Sequence, residues 1–225
     1  MNPIRNGKIT SSQAYRVMGT PKVKQTYLEE LEFSSRMKCS LTQETNARPT
    51  TWGKFVEKRV FDLLPIEYKL TSKDTIQHPE IEHWCGSPDG VSNDSVFDIK
   101  CPYTRKSFCQ LHRLVELNSL EYFKKNFDDY YWQLVSNAIL TNKDKAELIV
   151  YLPHQKELDE IREMCQKNTD IELETKIFWI ANSIDDDLPH QPNESEYPNL
   201  FKFSFDVPQE DKDLLNETIK SLSLK

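Results

Sequence analysis

The fold of this chain is decided by residues 84–102, which read Trp-Cys-Gly-Ser-Pro-Asp-Gly-Val-Ser-Asn-Asp-Ser-Val-Phe-Asp-Ile-Lys-Cys-Pro. Two short segments in it, 88–90 (Pro-Asp-Gly) and 92–95 (Ser-Asn-Asp-Ser), are typical of turns. The segment 95–100 mixes apolar and polar residues as expected of a half-buried strand. We therefore predict a β-hairpin that ends in a lysine followed by a Cys-Pro pair.

Asp89, Asp98 and Lys100 are the candidate catalytic residues of this hairpin. Asp98 and Lys100 share one face of the predicted strand, because side chains repeat on the same face every second residue. If the hairpin returns Asp89 to that face, two carboxylates and the backbone carbonyl of Ile99 can converge on one divalent cation. An isolated Asp-x-Lys would more often be a surface ion pair, whereas this combination predicts a hydrolytic metal site.

Length and composition indicate a single domain over residues 1–225, with a mass of 26.5 kDa that allows a sizeable core. The apolar fraction of 37% and the charged fraction of 29% are typical of a globular protein. The chain has no apolar run of about 18 residues and no apolar signal core near its start. We expect no membrane span, no secretion, and a cytoplasmic location in a bacterial or virus-infected host cell.

The five cysteines form no Cys-x-x-Cys pair, so we expect reduced thiols rather than a disulfide framework, a zinc ribbon or an iron–sulfur cluster. The net charge of -7 argues against a protein that coats nucleic acid by bulk electrostatics. A nuclease remains compatible with this charge, because local basic clusters can bind phosphates. Such clusters occur at Lys54, Lys58 and Arg59 and at Lys100, Arg105 and Lys106.

Apolar periodicity predicts alternating helices and strands along the rest of the chain, which favours an α/β fold. Helices are predicted over 51–64, 104–118, 120–127, 130–140 and 154–167, and strands over 146–152, 176–181 and 200–207. Short strands are expected between residues 66 and 87. The acidic, proline-containing segment 183–198 predicts a loop.

Pro88-Asp89, followed nine residues later by Asp98-x-Lys100 and then Cys-Pro, resembles the signature of the PD-(D/E)xK nuclease superfamily. The segments 86–90 and 98–102 are similar to core motifs of the lambda-exonuclease and YqaJ-like viral recombinase family. This resemblance implies an α/β (α+β) fold, with a central mixed β-sheet flanked by helices around a restriction-endonuclease-like core. It spans about residues 5–150, with the core motifs at 52–137.

Two further segments resemble motifs of this family. Residues 52–57 (Trp-Gly-Lys-Phe-Val-Glu) are similar to its Trp-Gly-x-x-x-Glu helix, which implies that Glu57 joins the metal site. Tyr130 and Gln133 match its Tyr-x-x-Gln helix, which implies that Gln133 lies beside the active site. Taken alone, Glu57 is typical of a rim residue in an ion pair, and the polar face of Tyr130, Gln133 and Asn137 is typical of a solvated surface.

Near the start of the chain, residues 5–12 resemble the Arg-x-Gly-x-Ile-Thr-x-Ser stretch of lambda-type exonucleases. The resemblance implies that Arg5 and Ser12 bind the terminal 5′ phosphate of DNA. The residues alone predict a helix that starts near residue 12 and is capped by Thr10 or Ser11, which is itself a sufficient reason for the hydroxyls.

The resemblance implies a metal-dependent exonuclease that degrades linear double-stranded DNA in the 5′ to 3′ direction during phage or prophage recombination. Glu57, Asp89, Asp98 and the Ile99 carbonyl are hard oxygen ligands that suit Mg²⁺, with Mn²⁺ as a substitute. Lys100 would orient or deprotonate the attacking water. Asp98 stands where the family more often has glutamate.

Two other functions fit part of the pattern. One is a restriction-type endonuclease, for which we find no recognition domain in the sequence. The other is an inactive protein that binds DNA ends or recruits a partner, although the presence of every candidate ligand argues against a decayed site. Expected partners are double-stranded DNA ends and a single-strand annealing protein, with a homotrimer implied by the family and a monomer as the alternative.

Overall fold

The computed structural model describes residues 5–41, 47–65, 69–70, 75–168 and 171–222, without the side chains of 69–70 and 171–174. The strands are β1 (Ile9–Thr10), β2 (Lys69–Leu70), β3 (Ile76–Gln77), β4 (Trp84–Gly86), β5 (Gly90–Val91), β6 (Ser95–Lys100), β7 (Lys145–Tyr151) and β8 (Leu200–Asp206). The helices are α1 (Ala14–Met18), α2 (Pro21–Met37), α3 (Arg48–Leu63), α4 (Arg105–Leu117), α5 (Leu120–Asn126), α6 (Asp128–Thr141), α7 (Leu158–Gln166), α8 (Ile171–Asn182) and α9 (Gln209–Lys220).

A mixed five-stranded sheet has the order β2-β5-β6-β7-β8. Strands β6 and β7 are parallel, whereas the other neighbours in this sheet are antiparallel. A parallel pair requires a crossover connection, and helices α4, α5 and α6 supply it here. A smaller sheet, β1-β4-β3, leads into the hairpin. The predicted mixed sheet flanked by helices is confirmed. Of the short strands expected at 66–87, the structure has β2, β3 and β4, and residues 66–68 and 71–74 of this stretch lie outside the described residues.

The five-stranded sheet separates two apolar cores. Val96 of β6 and Leu148 of β7 face the core formed with α1, α4, α5, α6 and α9. Phe97, Ile99 and Ile149 face the opposite core, formed with α3, α7 and α8. Strand β7 is buried on both faces, as expected for the central strand of a sheet covered on two sides.

Helix α6 lies against the sheet and is buried over most of its length, with Tyr131, Leu134 and Val135 among its buried residues. Phe123 of α5 packs beside it, with ring centroids 5.7 Å from Tyr131 and 5.5 Å from Phe203 of β8. These contacts fix the orientation of α6 on the sheet and therefore the direction in which its polar face points.

The predicted strand at 176–181 is wrong, because this segment belongs to helix α8. Ile177 and Ile180 are buried against α3 and α7, whereas Phe178 between them is 65% exposed. Burial at a three-residue spacing is helical, and a short apolar run does not by itself distinguish a helix from a strand.

The predicted loop at 183–198 contains one 3-10 turn at Asp185–Asp187. None of the helices in the described ranges is long and apolar enough to cross a membrane.

The two phenylalanines named above allow a matched test of the core. Phe123 is fully buried, so we expect Phe123→Ala to lower the free energy of unfolding by about 3–5 kcal/mol through lost burial and a cavity. Phe178→Ala removes the same atoms from an exposed site and is expected to change stability by less than about 0.5 kcal/mol. Urea unfolding followed by circular dichroism measures both values, and similar losses in the two variants would contradict this packing.

Candidate active site

The predicted hairpin is confirmed as an antiparallel pair of β5 and β6. Gly90 lies opposite Phe97 and Val91 lies opposite Val96, and the turn is closed by a hydrogen bond from the Ser92 N–H to the Ser95 carbonyl at 2.9 Å. The pairing therefore covers only the first half of β6. Its second half, which carries Asp98 and Lys100, has no β5 residue opposite it in this register.

Asp89 occupies the edge that β5 leaves open. Its Oδ2 atom accepts a hydrogen bond from the Ile99 N–H at 2.6 Å. The N–H and C=O groups of one residue in an extended strand point to the same edge, so the Ile99 carbonyl is directed to the edge where Asp89 lies. The hairpin thus returns Asp89 to β6 as the spacing predicts.

Asp98, Lys100 and Gln133 form a closed group of polar contacts on one face of β6. Lys100 Nζ lies 2.5 Å from Asp98 Oδ2, and Gln133 Nε2 donates to Asp98 Oδ1 at 2.7 Å. Lys100 Nζ also donates to Gln133 Oε1 at 3.3 Å. Asp98 is only 2% exposed, so these contacts hold its carboxylate in a fixed orientation.

Glu57 reaches this group from α3 and hydrogen-bonds to Asp89. Burial, followed by the charge of Asp98, raises the pKa of Glu57 from 4.5 to about 7. Burial also raises the pKa of Asp89 well above its usual range, and the charges of Asp98 and Glu57 add to this effect. The three carboxyl groups therefore resist carrying three negative charges together.

The Lys100 ammonium places one positive charge beside these carboxyl groups. Burial alone would lower the pKa of Lys100, but the charge and hydrogen bond of Asp98 outweigh it, so the pKa is raised. Lys100 Nζ also lies 4.8 Å from the centre of the Tyr130 ring, within reach of a cation–π contact. A lysine held in its charged form can donate hydrogen bonds but cannot accept a proton, which favours an orienting role over a basic one.

The chemistry of the donor set fits a hard divalent cation, because it consists of carboxylate oxygens, buried at Asp98 and half-buried at Glu57 and Asp89, whose mutual repulsion a cation would relieve. Among the described residues, no three His, Cys, Asp or Glu side chains already stand in an arrangement that could hold a metal ion. The reason is visible in the contacts: Asp98 binds Lys100 and Gln133, and Glu57 binds Asp89. The expected ligand set also includes the Ile99 carbonyl, which is not a side chain.

The segment that contains Arg5 and Ser12 runs beside the strand that leads to Asp89. β1 pairs in parallel with β4, with Thr10 opposite Cys85. Burial raises the pKa of the Cys85 thiol, and the nearby charge of Arg5 partly opposes this. Ser12 Oγ lies 3.3 Å from Thr10 Oγ1. The structure thus brings the segment next to β4, but the described contacts include no direct bond from Arg5 or Ser12 to Asp89.

The predicted capping of a helix by Thr10 or Ser11 is wrong. A 3-10 turn at Ser11–Gln13 precedes the five-residue helix α1, and the side chain of Thr10 makes no capping hydrogen bond. The Ser11 hydroxyl instead lies 2.9 Å from the Ser136 hydroxyl of α6. The Ser11 hydroxyl therefore serves the packing of this segment on α6 rather than the capping of a helix N-terminus.

Asn137 differs from the solvated side chain that its spacing suggests, because it is completely buried. Neither of its amide atoms has a hydrogen-bond partner among the described residues. It lies over Gly86, where an added Cβ would stand 2.9 Å from Asn137 Oδ1 and 2.1 Å from Ser11 Oγ. Gly86 is thus required by close packing, and no periodicity in the sequence signals this contact.

The fold is similar to that of known exonucleases. An alkaline exonuclease from Laribacter hongkongensis, LHK-Exo, has a TM-score of 0.61 at 16% identity, over 96% of this chain and 86% of that chain. LHK-Exo in complex with dAMP gives 0.62 at 15% identity, over 97% and 87%. A phage-related exonuclease from Haemophilus somnus 129PT gives 0.58 at 14% identity, over 95% and 90%. At such low identity, the likeness concerns the fold.

No curated protein matches this sequence. The family model for the YqaJ-like viral recombinase domain matches residues 2–144, which is more than half of the chain and includes the hairpin, α3 and α6. The chain therefore belongs to the YqaJ-like viral recombinase domain family.

Proposed function

We propose that this protein is a metal-dependent DNA exonuclease that hydrolyses phosphodiester bonds at the ends of linear double-stranded DNA, from 5′ to 3′, in recombination of the phage type. The observation that carries the proposal is the convergence of Glu57, Asp89, Asp98 and Lys100 at the open end of β6. Family membership and the exonuclease fold support the same reaction class.

The proposed metal ligands are the carboxylates of Glu57, Asp89 and Asp98 and the carbonyl of Ile99, a set suited to Mg²⁺ or Mn²⁺. When bound, such an ion polarises a phosphate oxygen and lowers the pKa of its water. Gln133 holds Asp98, whose side chain is one methylene shorter than a glutamate, at a fixed orientation through the 2.7 Å hydrogen bond.

Lys100 is proposed to orient the attacking water and to stabilise the charge that develops on the phosphate. Its ammonium already donates to the side-chain oxygens of Asp98 and Gln133, so it is held in place before the substrate arrives. The raised pKa keeps it charged at neutral pH. Proton removal from the water is then left to solvent or to a carboxylate of the site.

Arg5 and Ser12 are proposed to bind the terminal 5′ phosphate, since a guanidinium can form two parallel hydrogen bonds with a phosphate. Their segment lies beside β4, which leads directly to Asp89, so an end held there is close to the carboxylates. LHK-Exo has been solved in complex with dAMP. A deoxynucleoside monophosphate is what stepwise removal of nucleotides releases, in keeping with an exonuclease.

Substitutions in the carboxylate group test the proposed chemistry. We expect Asp98→Asn, Asp89→Asn and Lys100→Met each to lower turnover by at least about a hundredfold, because each removes a metal ligand or the charged donor. Asp94→Asn is the matched control, since Asp94 lies in the exposed turn of the same hairpin and pairs only loosely with Lys145, at 3.5 Å.

The measurement for these variants is Mg²⁺-dependent release of nucleotides from linear duplex DNA, with closed-circular duplex and EDTA as negative controls. Asp94→Asn should keep the wild-type rate. A near wild-type rate in folded Asp98→Asn or Asp89→Asn protein would refute the proposed site. Cutting of closed-circular duplex would instead indicate an endonuclease.

Thermal stability tests metal binding without relying on activity. A carboxyl group whose pKa is raised on folding contributes stability below its unfolded pKa and loses it as the pH rises through the folded pKa. For Glu57 these values are 4.5 and about 7, so the metal-free protein should lose stability over this range. Because Mg²⁺ competes with protons for the same carboxylates, it should raise the melting temperature more at pH 8 than at pH 6.

The Glu57→Gln variant should show a smaller metal-induced shift and a weaker pH dependence of stability in EDTA. Glu163→Gln, at an exposed site on α7, is the matched control and should behave as wild type. Differential scanning calorimetry with Mg²⁺ or EDTA measures the shifts. A shift that is absent at both pH values in the wild-type protein would contradict metal binding at this site.

Recognition of the terminal phosphate predicts a preference among DNA ends. Wild-type protein should degrade duplexes with 5′-phosphate ends faster than duplexes with 5′-hydroxyl ends, and Arg5→Ala should remove this preference more than it slows degradation of hydroxyl ends. Arg113→Ala, which changes an exposed arginine of α4, should keep the preference. Rates of nucleotide release from the two substrates decide the matter, and equal rates in the wild-type protein would exclude 5′-phosphate recognition.

A further inference from the structure

A tight turn connects Arg5 to the first strand of the small sheet. The Lys8 N–H donates to the Arg5 carbonyl at 3.2 Å, which closes a four-residue turn over Arg5, Asn6, Gly7 and Lys8. Gly7, the third residue, has a φ of +67°, as a type II turn requires at that position. The direction in which the Arg5 side chain leaves the backbone therefore depends on this turn.

The turn is fixed on one side by the small sheet. β1 begins directly after Lys8, and the Ile9 N–H donates to the His83 carbonyl at 2.8 Å. Ile9 lies opposite Trp84, and both side chains are fully buried. This side of the turn is therefore held by the core of the protein.

On its other side, the turn is held by the C-terminal end of α2. The side-chain Nδ2 of Asn6 donates to the Lys38 carbonyl at 3.0 Å. Lys38 is the left-handed residue that ends α2, with a φ of 55°. Gly7 packs so closely on the last turn of this helix that an added Cβ would lie 3.0 Å from the Cβ of Ser35.

The contact between the turn and α2 is exposed, yet its geometry is tightly restricted. Ser35 and Lys38 are exposed, so the contact buries little apolar surface and adds little to the core. It nevertheless requires a glycine in a left-handed conformation and a specific amide hydrogen bond. Both features restrict the position of the residue next to them, which is Arg5.

We propose that the C-terminal end of α2 positions Arg5 for the terminal 5′ phosphate, with Asn6 and Gly7 as positioning residues that determine end specificity. This inference rests on the proposed role of Arg5 in binding a phosphomonoester at a duplex end. Paired hydrogen bonds from a guanidinium to a phosphate are sensitive to displacement, so loosening the turn reduces the advantage of a phosphorylated end. Ends without the phosphate lose little, because they do not use this contact.

Two single substitutions test the proposal, with the ratio of kcat/KM on 5′-phosphate and 5′-hydroxyl duplexes as the readout. Asn6→Ala removes the amide bond to Lys38, and Gly7→Ala places a Cβ against Ser35 in a strained conformation. Each should lower the ratio at least about threefold toward that of Arg5→Ala, the effect expected from losing about one hydrogen bond of positioning. Asn182→Ala is the control, since it removes a comparable exposed bond, from Asn182 Nδ2 to the Phe178 carbonyl at 2.8 Å.

A double variant tests whether close packing against α2 is the cause. Ser35→Gly removes the atom that the new Cβ of Gly7→Ala would approach, so Gly7→Ala/Ser35→Gly should recover part of the ratio, whereas Ser35→Gly alone should keep it. Melting temperatures identify variants that lose activity through unfolding, and Asn6→Ala, which changes one exposed side chain, is expected to fold as wild type.

The possible failures are distinct. Wild-type ratios in Asn6→Ala and Gly7→Ala, together with a lost preference in Arg5→Ala, would overturn the positioning by α2 and leave phosphate recognition standing. Equal rates on both ends in the wild-type protein would overturn both proposals. Parallel slowing on both kinds of end, with an unchanged ratio, would show that the turn serves stability alone and would also overturn the inference.

Discussion

The carboxyl groups of Glu57, Asp89 and Asp98 share a half-buried site with the ammonium group of Lys100, and the like charges of the carboxylates repel one another there. The three carboxyl groups come from different parts of the fold: α3 carries Glu57, the start of the hairpin carries Asp89, and β6 carries Asp98. The backbone and amide hydrogen bonds around them hold in place an arrangement that the charges alone would disperse. The cation proposed for this site would relieve part of this repulsion.

Strand β6, which carries Asp98 and Lys100, is paired unequally on its two edges. β6 is paired along its whole length with the buried strand β7, but with β5 only at its first half. The full pairing on one side makes β6 a rigid support for Asp98 and Lys100. The short pairing on the other side leaves room for Asp89 beside the edge to which the Ile99 carbonyl is directed.

Much of this could be predicted from the sequence, because the features that matter are local. The turn at 92–95 and the two-residue spacing of Asp98 and Lys100 are local features that predict the hairpin without reference to distant residues. The half-buried strand expected at 95–100 is wrong, because β6 is buried on both faces by helices that its own residues do not signal. Ile177 and Ile180 show the opposite case: their helical burial depends on α3 and α7, and a six-residue apolar run carries no record of that contact. The burial of Asn137 likewise depends on Gly86 and Ser11, which are far away in the sequence.

The crossover between β6 and β7 has a consequence for how the protein acquires its site. Asp98 lies at the start of this connection and Gln133 lies in its last helix, so their hydrogen bond joins residues that are 35 positions apart. The loop between them must be closed, at an entropic cost, before that contact forms, and parallel strand pairing is among the slower steps of folding. The hydrogen bond that orients Asp98 therefore forms only when α6 has docked on the sheet, whereas the hairpin can bring Asp89 beside β6 earlier. A partly folded chain can therefore hold both aspartates close together while Asp98 still lacks its fixed orientation, so that the order of folding delays the completion of this polar cluster.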